Sequence, residues 1–333
     1  MRVIIWGCLF LLTLFSCADD SQERSKNAKP ISSIVFTPVE KPVFVADSAY
    51  QYIVEQLAFG PRVPGSKSHA NAAVYLEKQF KKWNWQTNLQ LGSAVTFNGK
   101  EIAIKNIVAR FDTTKKSRVL LMTHWDTRPF ADRDEIRKTE AIDGANDGAS
   151  GVGVLLEIAR IISSSDLKPN IGIDIVLFDA EDYGQPSGMM SGQTGDTWCL
   201  GSQYWAKHLA DDYVRPKYGI LLDMVGAKDA IFSKEGVSMQ YNPQLVNKIW
   251  YFANKLGYGK YFIQQEASGG ITDDHLYVNK IAKIPSIDII HYDPYQGDFG
   301  AFHHRHSDDI NVIDKTTLEV VGNVVLETIY REK

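Results

Sequence analysis

Arg118-Val-Leu-Leu-Met-Thr-His124-Trp-Asp126 is an apolar run of strand length that ends on an imidazole and a carboxylate. A run of this kind, without polar alternation, reads as a β-strand covered on both faces. Residues 171–178, 218–225 and 285–290 repeat the pattern. Helical spacing separates them. Val154, Leu155, Ile158 and Ile162 mark a helix over 151–162, and Ala73, Leu76 and Phe80 one over 70–80. A short helix is expected at 203–209. Asn242-Pro243 opens another that runs to Lys255, with Gly257 as its stop, and 314–331 closes the chain. Asn98-Gly99 turns a strand at 95–97 into one at 102–111. Strands alternating with helices predict a single α/β domain, with an open, twisted, mostly parallel sheet and helices on both faces.

The chain has 333 residues, 44% of them hydrophobic and 23% charged, which is ample for a sizeable core. A net charge of -4 and a pI near 6.1 give no basic surface for nucleic acid, and none is expected as a partner. No repeat, heptad series or glycine-rich phosphate loop is present. Residues 1–17 read as a leader: basic Arg2, an apolar stretch over 3–15, then Leu14-Phe15-Ser16-Cys17. The stretch is shorter than the ~20 residues a membrane-spanning helix needs, so a signal peptide is the better reading. The last four residues resemble a bacterial lipobox, which implies export to the periplasmic side and attachment to a bacterial membrane through a lipid on Cys17. Residues 18–45, polar and then marked by Pro30, Pro38 and Pro42, read as a tether, and 46–333 as the catalytic domain. With Cys8 in the leader and Cys17 lipidated, Cys199 is left without a disulfide partner.

Chemistry-bearing residues gather where strands are expected to end. His124 and Asp126 follow the first buried strand, Glu181 and Asp182 the second, and Asp223 the third. Asp147 lies in Asn146-Asp-Gly-Ala-Ser-Gly151, directly before a helix, and His303, His304 and His306 crowd into four positions. An α/β sheet binds its ligands at the carboxyl ends of its strands. Alone, Asp147 would be a helix cap, and Glu181-Asp182 a solvated pair. Together, after Ile-Val-Leu-Phe, buried acids require a cation, and zinc is the usual occupant of such a set.

The order His-x-Asp, Asp-Gly-x-x-Gly, Glu-acid, Asp, His resembles the zinc aminopeptidase superfamily, over most of the chain from Gly60-Pro-Arg-Val-Pro-Gly-Ser66 onward. The resemblance implies a mixed central sheet. It also implies metal ligands Asp147, Asp182 and His306 and a general base at Glu181. Asp182 stands where that superfamily usually has Glu, which leaves open an exchange of roles between Glu181 and Asp182.

Arg62-Val-Pro-Gly-Ser, Leu222-Asp-Met-Val-Gly-Ala and Gly270-Ile-Thr-Asp273-Asp274-His275 are similar to the animal-type glutaminyl cyclases. Two departures point back to peptidases: Asn146-Asp-Gly-Ala-Ser-Gly151, and Arg305 in place of a Trp before the ligand His. The cyclase resemblance implies an acyltransferase that turns the N-terminal Gln of peptides and proteins into pyroglutamate and releases ammonia. One zinc would act as Lewis acid and Glu181 as the acid/base, with Asp223 and Asp273 catalytic. His124 and Asp126 would be remnants of a second site or support the first. Trp198, Trp125, Phe299 and Phe302 are candidate pocket walls. The alternative is a two-zinc aminopeptidase.

Overall fold

The computed structural model describes residues 36–37, 39–186 and 196–333. The leader, Cys17 and most of the expected tether lie outside the described residues. One compact unit runs from Pro38 to Lys333. Residues 39–45, read as part of the tether, therefore belong to this unit. The Val39 amide donates to Glu327, Lys41 pairs with the same carboxylate, and Phe44 is buried.

The main sheet has six strands: β1 (Gln86–Val95), β2 (Glu101–Phe111), β3 (Arg118–His124), β4 (Gly172–Phe178), β5 (Gly219–Asp223) and β8 (Ser286–Ile290). Their order is β1-β2-β4-β3-β5-β8. β1 pairs antiparallel with β2, and β2 antiparallel with β4. The β3–β4, β3–β5 and β5–β8 pairs are parallel. This is the mixed, mostly parallel sheet expected from the sequence. β6 (Phe232–Lys234) and β7 (Phe262–Glu266) form a second, two-stranded parallel sheet, joined to the end of β8 by a bridge between Phe232 and His291.

Side-chain alternation explains why the buried strands show no polar face. Val119, Leu121, Ile173, Ile175, Ile220 and Leu222 enter one core with α1 (Ala46–Leu57), α2 (Lys67–Lys82), α3 (Ala149–Ser164), α6 (Pro243–Lys255) and α8 (Lys315–Tyr330). Leu120, Met122, Val176, Phe178 and Leu221 point the other way, onto Trp205 of α4 (Leu200–Lys207) and onto Val278. Each face thus has its own helical cover, and each such aliphatic side chain contributes about 1.5–3 kcal/mol by leaving water. α3 is buried along nearly its whole length, consistent with its Ala, Gly, Val, Leu and Ile composition. Two short helices, α5 (Gly236–Tyr241) and α7 (Asp274–Tyr277), complete the described structure near the ends of β5 and β8. Among the described residues, no helix is long and apolar enough to cross a membrane.

Candidate active site

A cavity of about 600 Å³ opens at the carboxyl ends of β3, β4, β5 and β8. Asp147, Glu181, Asp223, Asp273, His303 and His304 line it, with Trp198 and Phe299 in its wall. β5 ends on Asp223 and β3 on His124. Asp147 precedes Gly148, whose φ of 100° is left-handed and whose Cα lies so near that a Cβ would stand 2.6 Å from the Asp126 carbonyl. Only glycine fits there, and its turn aims Asp147 back at the sheet.

Two carboxylates outside the cavity wall fix these loops. Asp126 accepts the amides of Glu181 (3.0 Å) and Asp182 (3.3 Å), so the acid pair hangs from it by its own backbone. Asp308 accepts the amides of Asn146 (2.8 Å) and Asp147 (3.0 Å). Burial pushes the Asp308 carboxyl well above its usual range, helped by the nearby Asp147 charge. The guanidinium of Arg62, fully buried, donates to the carbonyls of Trp125, Asp143 and Gly144 and ties the same loop to β3.

Asp182 is held from two sides. Arg128 Nη1 donates to its Oδ1 over 3.1 Å, and His304 Nε2 lies 3.2 Å from the same oxygen. Asp182 Oδ2 is buried and has no hydrogen-bond partner among the described residues. Atoms of Asp147, His303 and His304 lie within 4.8 Å of one another. His303 Nδ1 accepts from Arg133, and burial together with the adjacent His304 charge lowers its pKa. On the other side, His124 Nε2 lies 3.1 Å from Asp147 and 3.2 Å from Asp223. Glu181, Cys199 and Asp273 face one another within 4.8 Å. Burial raises the Glu181 carboxyl well above its ordinary value, and the charges of Asp273, Asp182 and Asp274 add to this against the opposing effect of His124. Burial and the Asp223 charge push Asp273 up to about 6.

The structure thus gathers Asp147, Asp182, Glu181, Asp223, Asp273 and His124 at one site, with Asp126 behind them. His306 is a correction. It is not among the residues that line the cavity, and its amide and Nδ1 go to Asp134 (3.1 and 2.5 Å); His304, which lines the cavity and stands 3.2 Å from Asp182, takes the place expected of it. The cause is a run of tight turns over 300–308, with His304 itself left-handed at φ 56°. Trp125 and Phe302 are corrections too. Trp125 is fully buried, stacked on His69 at 4.3 Å, and Phe302 packs on Met224 and Ile290. Trp198 lies parallel to the His304 ring with centroids 6.1 Å apart, and the Arg128 guanidinium sits 5.0 Å from it. Arg62 enters the sequence reading only as the start of a motif, with no role, and Arg128 and Asp308 do not enter it. The last carries a signal, an acid four residues after His304.

Two carboxylates and an imidazole are a suitable donor set for zinc, and the orphaned Asp182 Oδ2 is a buried acceptor that lacks a cation. The residues fit the ion.

The sequence model of Peptidase family M28 matches residues 106–329, most of the domain just described. The chain belongs to peptidase family M28. It is 28% identical over 220 residues to aminopeptidase YwaD of Bacillus subtilis, a match covering 64% of this chain but only 40% of that protein. Among solved structures, a Tannerella forsythia glutaminyl cyclase superposes with a TM-score of 0.84 at 48% identity, over 88% of this chain and 100% of that one. A Zn-dependent exopeptidase from Parabacteroides distasonis gives a TM-score of 0.83 at 46% identity, over 88% and 100% of the two chains. Both chemistries expected from the sequence are therefore represented among the proteins it resembles.

Proposed function

We propose that the chain is a glutaminyl-peptide cyclotransferase, converting the N-terminal Gln of peptides to pyroglutamate with release of ammonia. The observation that carries this reading is Asp273, which brings an additional carboxylate within 4.8 Å of Glu181 and Cys199. A two-metal peptidase needs one base and a full second metal site. The cyclase reading takes a single zinc, held by Asp147, Asp182 and His304, and leaves His124 Nε2 to Asp147 and Asp223 at 3.1 and 3.2 Å. When bound, zinc supplies Lewis-acid polarisation of the γ-amide carbonyl.

The chain's own residues then manage position and protons. The substrate's α-amine is the nucleophile, so no protein nucleophile is required. Glu181 accepts the proton that the amine loses as its nitrogen bonds the carbonyl carbon of the γ-amide (Cδ), and returns it to the amide nitrogen, which leaves that carbon as ammonia. Asp223 and Asp273 accept hydrogen bonds from the amine and the amide nitrogen and hold the two ends of the Gln side chain within reach of each other. Trp198 and Phe299 give the chain an apolar wall.

A coupled ammonia assay on a Gln-initiated dipeptide, with and without chelator, tests this. Chelator-sensitive ammonia release with one zinc per chain is expected. Release of amino acids without ammonia, with two tightly bound zincs, would establish the aminopeptidase instead. That second reading draws on the same His124–Asp147–Asp223 set, whose atoms lie within 4.8 Å, and on the exopeptidase relative.

We also propose, from the leader sequence, that the enzyme is exported and lipid-anchored through Cys17. New N-termini made by signal cleavage are a source of its substrates. Radiolabelled palmitate in the wild type but not in Cys17→Ser is the expected outcome.

A further inference from the structure

Among the described residues, the one hydrogen-bond donor on the Glu181 carboxylate is a thiol: Cys199 Sγ lies 3.1 Å from Oε1. Cys199 is fully buried, and Glu181 is half-buried at the cavity surface. The contact is built by the backbone. The Cys199 amide donates to the Glu181 carbonyl (2.9 Å) and the Leu200 amide to the Ala180 carbonyl (3.0 Å), so the chain entering α4 is laced to the turn that carries the acid pair. Both strands of this lacing hold a left-handed residue, Ala180 at φ 51° and Cys199 at φ 54°. Gly201 lets them approach. A Cβ there would stand 2.1 Å from the Asp179 carbonyl. Asn106 spans the same gap, accepting the Asp179 amide and donating to the Gly201 carbonyl. The thiol is therefore delivered to Glu181 by fixed main chain, without help from its own side-chain packing.

We infer that Cys199 is a positioning residue whose S–H fixes the rotamer of the Glu181 carboxylate, so that its other oxygen faces the substrate nitrogen. Burial holds the thiol far above its ordinary pKa, as do the Glu181 and Asp274 charges, so it stays an uncharged donor. A nucleophilic or metal-binding thiolate would need the opposite environment. The inference rests on Glu181 being the group that moves the proton.

The test compares wild type with Cys199→Ala and Cys199→Ser in full-length, zinc-loaded enzyme. Alanine removes the donor, and kcat should fall about 10- to 100-fold with KM nearly unchanged, the scale of a misplaced catalytic group. Serine keeps a donor and should restore kcat to within about 5-fold of wild type. Zinc content and melting temperature serve as controls. Should alanine fold poorly, Cys199→Gly, which suits the positive φ and also lacks a donor, takes its place. An alanine or glycine variant with wild-type kcat overturns the inference, as does a serine variant as slow as alanine. If the wild type releases no ammonia but cleaves an aminoacyl nitroanilide, the cyclase reading has failed. The same variants measured on that substrate then decide the role of Cys199 separately.

Discussion

His304 Nε2 stands 3.2 Å from Asp182 Oδ1, while His306, two positions along, is spent on Asp134. The two imidazoles are thus separable by experiment. His304→Ala should lose zinc after dialysis, measured by elemental analysis, and with it activity. His306→Ala should retain one zinc per chain. Equal zinc in both variants would return the ligand role to His306 or His303.

Asp126 makes a second separable case. Its two oxygens hold the Glu181 and Asp182 amides. Asp126→Asn replaces one acceptor by a donor facing an N–H. A loss of about 100-fold in kcat is expected from the displaced acid pair. KM for a Gln-dipeptide should move much less. A change confined to KM would show that Asp126 shapes binding instead.

Asp223→Asn bears on zinc number. With one ion held by Asp147, Asp182 and His304, the variant keeps its full zinc content and loses kcat. In a two-zinc enzyme the same change lowers the metal stoichiometry, because Asp223 would then be a ligand. Mass spectrometry under native conditions distinguishes the outcomes.

Glu235 gives a prediction about stability and pH. Its fully buried carboxylate accepts from the amides of Val237, Ser238 and Ile271, from the Ser238 hydroxyl and from His275 Nε2. Despite the burial that opposes it, His275 and these donors lower its pKa to about 2. A depressed carboxyl stabilises the fold above its unfolded value and loses that contribution as pH falls through the folded one. The contribution, on the order of 3 kcal/mol, should be complete above about pH 4.5 and fade towards pH 2. In urea titrations, Glu235→Gln should be less stable than wild type at pH 7, with the gap narrowing by pH 3. A gap independent of pH would assign the loss to packing.

The buried strands are legible as unbroken apolar runs because both faces of the sheet are covered, and along each run the side chains alternate between the faces with a fixed period. The same period, applied one step further, separates Trp125 from its neighbours: His124 and Asp126 share one side of the chain and Trp125 takes the other. Its stacking on His69, away from the cavity, follows from that parity. The choice among His303, His304 and His306 has no such rule. It depends on a left-handed residue inside consecutive turns, and histidine gives no glycine-like warning of one. β6, only three residues long, and α5, at six, are too short to show a period, so the segment that carries Glu235 is not legible in the sequence. Asp273 was found through its resemblance to a motif. Its burial beside Asp223 came only from the way α7 meets β5 and β8.

The lacing of Ala180 and Glu181 to Cys199 and Leu200 closes the chain at the foot of an excursion. Gln185, Asp196 and Trp198, which line the cavity, all belong to that excursion, whereas Glu181 sits at its foot. Gln185 and Asp196 thus stand at the mouth of the cavity on a frame that the chemistry does not share. Gln185→Ala and Asp196→Ala should change which residue is accepted after the N-terminal Gln, and leave the rate on the smallest dipeptides as it was.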